Sequence, residues 1–70
     1  MTYREVTRRL ANMGCVEIAR RSGGSHRKWK NPVNARVTAV PDWGSRDLKI
    51  GTIRAIVRQL GLEWDIFSNG

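Results

Sequence analysis

The 70-residue sequence has one cysteine, one histidine and two prolines, and it contains no long apolar run. Each scarcity excludes something. A lone Cys15 cannot form an internal disulfide, and one cysteine with one histidine is too few for a structural zinc site, so no metal or other cofactor is expected. Nothing approaches the roughly eighteen consecutive apolar residues of a membrane span, and the first residues lack the apolar core of a signal peptide. The reading is a soluble, cytoplasmic protein in which Cys15 is a buried thiol kept reduced. Acidic residues are also scarce: 6 Asp and Glu stand against 13 Lys and Arg, a formal charge of +7. Such a surplus attracts polyanions, while saying nothing about fold.

The charge is unevenly placed. Residues 1–36 carry nine basic side chains against Glu5 and Glu17, whereas residues 37–70 carry four basic and four acidic ones. The whole excess therefore lies in the first half. A chain this short makes one domain around one core, taken here as residues 1–70, and keeps only a few kcal/mol of net stability.

Tyr3, Val6, Leu10 and Met13 recur at spacings of three and four, which predicts an amphipathic helix with Arg4, Arg8 and Arg9 off its apolar face. Thr2 followed by Glu5 is a capping-box pattern, and Gly14 marks the stop. Cys15–Arg21 reads as a strand, Ser22-Gly23-Gly24-Ser25 as a turn and His26–Lys30 as a second strand. Strand alternation puts His26, Lys28 and Lys30 on one face, with Arg27 and Trp29 on the other. Asn31–Asn34 makes the next turn, Ala35–Val40 a third strand, and Asp42–Leu48 a surface loop. A second helix is expected from Lys49 to Leu60 on the stripe Ile53, Ile56, Val57 and Leu60, ended by Gly61. The apolar tail Leu62–Phe67 is expected to dock as a last helical turn against the sheet. The order α-β-β-β-α gives an α+β fold with two helices on one face of a three-stranded antiparallel sheet, leaving the other face open. Double-stranded-RNA-binding domains share that order, an analogy of fold only.

His26 is the candidate for chemistry. An imidazole titrates near neutral pH and can take a proton from a hydroxyl or return one to a leaving oxygen. In a basic field without metal ligands, the reaction that fits is transfer within RNA. The 2′-hydroxyl is deprotonated and attacks the adjacent phosphate, with cationic side chains stabilising the transition-state charge. The second proton-transfer role stays open among Lys28, Lys30, Ser25 and water. Lys28 and Lys30 are the first phosphate-contact candidates, followed by Arg20, Arg21 and Arg36, and Trp43 is a candidate to stack on a base. Taken alone, an isolated histidine is more often a residue without a chemical role, and a basic surface often serves only solubility.

Gly24-Ser25-His26, then Arg36-Val37-Thr38-Ala39-Val40-Pro41, then Leu48–Ile56 and Gln59-Leu60-Gly61-Leu62, resemble the HicA family, as does the opening Tyr3-Arg4-Glu5-Val6 with Leu10 and Gly14. The resemblance covers almost the whole chain. It implies a toxin of a type II toxin–antitoxin pair with the double-stranded-RNA-binding fold, cutting messenger RNA with His26 and silenced by a HicB-type antitoxin. Gly24 and Ser25 would shape the histidine's approach, and Ser25 would also contact RNA. Two departures stand out. Many relatives carry a second histidine after the third strand, where this chain has Pro41-Asp42-Trp43, and Gly23 is an extra glycine before the motif. The competing readings are a non-catalytic RNA-binding module on the same basic face and a small protein whose charge complements an acidic partner.

Overall fold

The computed structural model describes residues 1–18 and 26–70. Helix α1 spans Tyr3–Asn12 and starts with the expected capping box: the Thr2 hydroxyl accepts from the Glu5 amide at 3.3 Å, and the Thr2 amide donates to the Glu5 carboxylate at 3.1 Å. The bond from the Thr2 amide first, then one from the Thr2 hydroxyl to the same carboxylate at 3.2 Å, hold the Glu5 carboxyl below its ordinary pKa. Val6 and Leu10 are fully enclosed, and Tyr3 and Thr7 are buried beside them. At the other end Gly14 takes φ 94, the Gly14 amide donates to Ala11 and the Cys15 amide to Leu10, the paired bonds of a Schellman stop. Cys15 is buried, and burial pushes its thiol pKa up.

Strand β1 covers Val16–Glu17, β2 His26–Asn31 and β3 Arg36–Pro41, forming an antiparallel sheet in the order β1-β2-β3. The ladder begins Val16 opposite Lys30 and runs along β2 and β3 from His26 opposite Pro41 to Asn31 opposite Arg36. An Ile18 amide bond to Lys28 at 2.8 Å extends the β1 pairing by one residue. The rest of the predicted first strand and the turn after it fall in residues 19–25, outside the described residues. β3 runs one residue later than expected at both ends. Ala35 adopts φ 63 and belongs to the turn, while Pro41 is tolerated because β3 is an edge strand that does not require its missing N–H.

Helix α2, Ile50–Gln59, buries Ile53, Ile56 and Val57, and ends in a second Schellman stop with Gly61 at φ 68. The bonds run from the Gly61 amide to Arg58 and from the Leu62 amide to Val57, each 3.0 Å. The β2–β3 turn closes over this end: Asn31 and Asn34 side-chain amides both donate to the Leu60 carbonyl, at 2.8 and 3.0 Å. Thr38 of β3 also donates to Gln59 of α2.

The tail forms a helix of its own, α3, Trp64–Asn69. Its main docking partners are the other helices rather than the sheet. Arg9 of α1 donates to the Phe67 and Ser68 carbonyls at 2.9 and 2.7 Å, a cation placed at a helix C-terminus, and Arg54 of α2 covers the Trp64 ring. Phe67 is fully enclosed in the one core shared by helices and sheet, with Val6, Leu10, Trp29, Val40, Leu48, Ile53, Ile56, Val57 and Leu60. The loop after β3 is pinned by Leu48, whose amide donates to Met1 at 2.7 Å while its side chain is buried.

Candidate nucleic-acid interface

Among the described residues the helices cover one face of the sheet and no element packs on the other, so the alternation of β2 decides what each side chain meets. Trp29 and Asn31 point into the covered side and are buried; Thr38 and Val40 join them from β3. On the bare side stand His26, Lys28 and Lys30. Their cross-strand neighbours are Pro41, Ala39 and Val37, with Val16 beside Lys30 on the β1 side. His26 and Lys28 are exposed and Lys30 is half-buried, while Val16 and Val37 remain 50% and 45% exposed. At about 3.3 Å per residue the three basic groups line a row of about 13 Å. Ala39 keeps the floor beside Lys28 low. The result is a shallow cationic strip with an apolar lining and an imidazole at one end.

Arg27, between His26 and Lys28 in sequence, does not belong to this strip. Its guanidinium lies on the helix side, 3.6 Å from both Glu17 and Asp42 and 5.6 Å from the centre of the Tyr3 ring. Hydrogen bonding to Tyr3 first, then the two carboxylates, hold Arg27 above its ordinary pKa. The Tyr3 hydroxyl in turn accepts from the Trp29 indole at 3.2 Å. Arg27 therefore links β1, β2 and the segment after β3 at the His26 end of the sheet. Sequence reasoning passed over this tie. The available signal was a pair of acids, one on β1 and one just past β3, flanking an arginine that alternation turns away from its basic neighbours.

The remaining expected contacts divide in three. Lys28 and Lys30 share the His26 face. Arg36 does not: it opens β3 at the far end from His26, and its side chain lies against Gly61 at the end of α2. Arg20, Arg21, Gly24 and Ser25 lie outside the described residues. Trp43 follows Pro41, the cross-strand partner of His26, by two residues; it is 38% exposed with the Arg46 guanidinium 5.7 Å from its ring centre. Among the described residues no group of three or more His, Cys, Asp and Glu side chains is gathered as a metal site would need, and no helix is long and apolar enough to cross a membrane.

The sequence model of the family described as HicA toxin of bacterial toxin–antitoxin matches residues 3–62, which takes in α1, the sheet, α2 and its stop. The chain belongs to the HicA toxin family. Membership makes it the toxin side of a toxin–antitoxin system and implies an antitoxin partner in general terms. Neither the curated proteins nor the solved structures compared contained a match. The family match ends at Leu62, so α3, which contributes the enclosed Phe67 to the core, lies beyond the matched part of this HicA toxin.

Proposed function

We propose that this HicA-family toxin is an endoribonuclease that cuts messenger RNA with His26, without a metal, and that a HicB-type antitoxin neutralises it. The observation that carries the reading is the shared register of His26, Lys28 and Lys30 on the uncovered face of the sheet. An imidazole there has access to a backbone lying along the strip, and two ammonium groups follow it at two-residue spacing. In the proposed step His26 removes the 2′-hydroxyl proton, the 2′-oxygen bonds to the adjacent phosphorus, and the bond to the 5′-oxygen breaks. The products are a 2′,3′-cyclic phosphate and a 5′-hydroxyl. Lys28 and Lys30 contact phosphate oxygens and offset charge that grows in the transition state. The proton for the 5′-oxygen comes from Lys28, Lys30, Ser25 or water. Arg20, Arg21 and Ser25, which precede His26 in sequence, are proposed as further RNA contacts, and Gly24 as shaping the approach of His26.

The test is incubation of the wild-type and His26→Ala proteins with a defined RNA in the presence of chelator, followed by analysis of product ends. Cleavage by the wild type, reduced at least about a hundredfold in His26→Ala, is expected, since positioned acid–base groups contribute on that order. Equal cleavage by both proteins would remove His26 from the mechanism. RNA binding by both with cleavage by neither would leave a binding module.

A further inference from the structure

The helix layer holds a feature that RNA cleavage does not use. An open groove between α2 and α3 is lined by Arg54, Val57, Arg58, Leu62 and Trp64. Its floor is apolar: Val57 belongs to the core, and Leu62 and Trp64 are half-buried against it. Arg54 and Arg58 stand one turn apart on the exposed side of α2, and the Arg54 guanidinium lies 4.4 Å from the centre of the Trp64 ring. Among the described residues neither arginine forms an ion pair. The contrast with Arg9, spent on two carbonyls, and Arg27, spent on two carboxylates, is direct.

Two guanidiniums above an apolar floor call for a ligand that brings carboxylates and aliphatic groups together. A guanidinium binds carboxylate through paired N–H bonds, and that of Arg54 is held over the Trp64 ring. Phosphate would satisfy the arginines but leave the exposed parts of Leu62 and Trp64 uncovered. Position argues the same way. The groove is in the helix layer, whereas His26, Lys28 and Lys30 face outward from the opposite side of the sheet, so an RNA strand on the basic strip does not reach it.

We propose that the α2–α3 groove docks an acidic, aliphatic segment of the protein partner that membership of a toxin–antitoxin family implies. The partner is then held on one layer while the RNA strip is on the other, and attachment is separable from blockage of the strip. The proposal stands on family membership and the groove, and does not need His26 to be catalytic.

The probe is a synthetic twelve-residue peptide of Leu, Glu and Asp in amphipathic order, titrated into the isotope-labelled full chain while indole and amide resonances are followed. The peptide is expected to move the Trp64 indole and leave the Trp43 indole and the β2 amides unmoved. Arg54→Gln with Arg58→Gln should weaken binding about tenfold. Arg54→Glu with Arg58→Glu should lose the acidic peptide and gain one with Lys in place of its acids, a reversal that misfolding cannot imitate. Shifts centred elsewhere, or binding indifferent to both double variants, would overturn the proposal. So would an RNA oligonucleotide that moves the Trp64 indole of the His26→Ala protein and loses that effect with the arginines, since the groove would then be a nucleic-acid site.

Discussion

Lys28 and Arg27 carry the same charge and adjoin in sequence, yet the pleat gives them unrelated tasks. Lys28 meets solvent on the bare face, while Arg27 stands between Glu17 and Asp42. Removing the guanidinium would leave two carboxylates, one on β1 and one just past β3, with no cation between them, at the end of the sheet where β2 begins with His26. Arg27→Gln is therefore expected to lower the thermal midpoint more than Lys28→Gln does. The deficit should shrink in high salt, because these charges are partly solvent-exposed and their repulsion is screened. Arg27→Lys should recover part of it, keeping the charge but losing the planar fork that reaches both acids. Parallel melting curves at low and high salt check this, and a salt-independent deficit equal in the Gln and Lys variants would mean that packing on Tyr3, not charge, is what Arg27 supplies.

At the scale of elements, both long helices stop in the same way, with glycine in the left-handed region and two crossed backbone bonds, and both stops were legible because glycine follows an apolar stripe. What the sequence did not disclose is that the second stop is also a contact surface. A Cβ on Gly61 would come within 2.6 Å of the Asn34 side-chain amide, one of the two groups donating to Leu60. Gly61→Ala thus combines a left-handed backbone penalty of about 1–2 kcal/mol with displacement of a hydrogen bond contributing about 1 kcal/mol. Gly51 is the internal comparison: it lies in the first turn of α2 with nothing near the position of an added Cβ. Gly51→Ala should be neutral or stabilise by up to about 1 kcal/mol. Denaturant titrations should show a loss for Gly61→Ala and none for Gly51→Ala, and a comparable loss at both positions would contradict this account of the turn. Ala35 shows where reading by pattern stops: its place in an alternating run suggested a strand, but the Asn31 and Asn34 side chains organise a turn that includes it.

On the scale of the whole molecule, the +7 charge becomes informative only after the structure shows which cations are already engaged. Arg9 closes α3, Arg27 ties the sheet, Arg36 lies by Gly61 and Arg46 covers Trp43, whereas Arg54 lies over Trp64 with no ion-pair partner among the described residues. The strip itself was readable beforehand, because a period of two assigns its face without any knowledge of packing. The engagement of the arginines was not, since it depends on contacts between residues distant in sequence. If Lys28 and Lys30 meet phosphates, each releases a counterion on binding, and for single strands each contact adds about 0.7 to the steepness of log K against log salt. In a His26→Ala background, Lys28→Ala with Lys30→Ala should therefore flatten that slope by about 1.4 and weaken RNA binding at low salt. Arg54→Gln with Arg58→Gln removes the same two charges from the other layer, and serves as the control. If net charge alone attracted RNA, both double variants would flatten the slope alike; if the sheet face is the interface, only the lysine pair changes it by that amount.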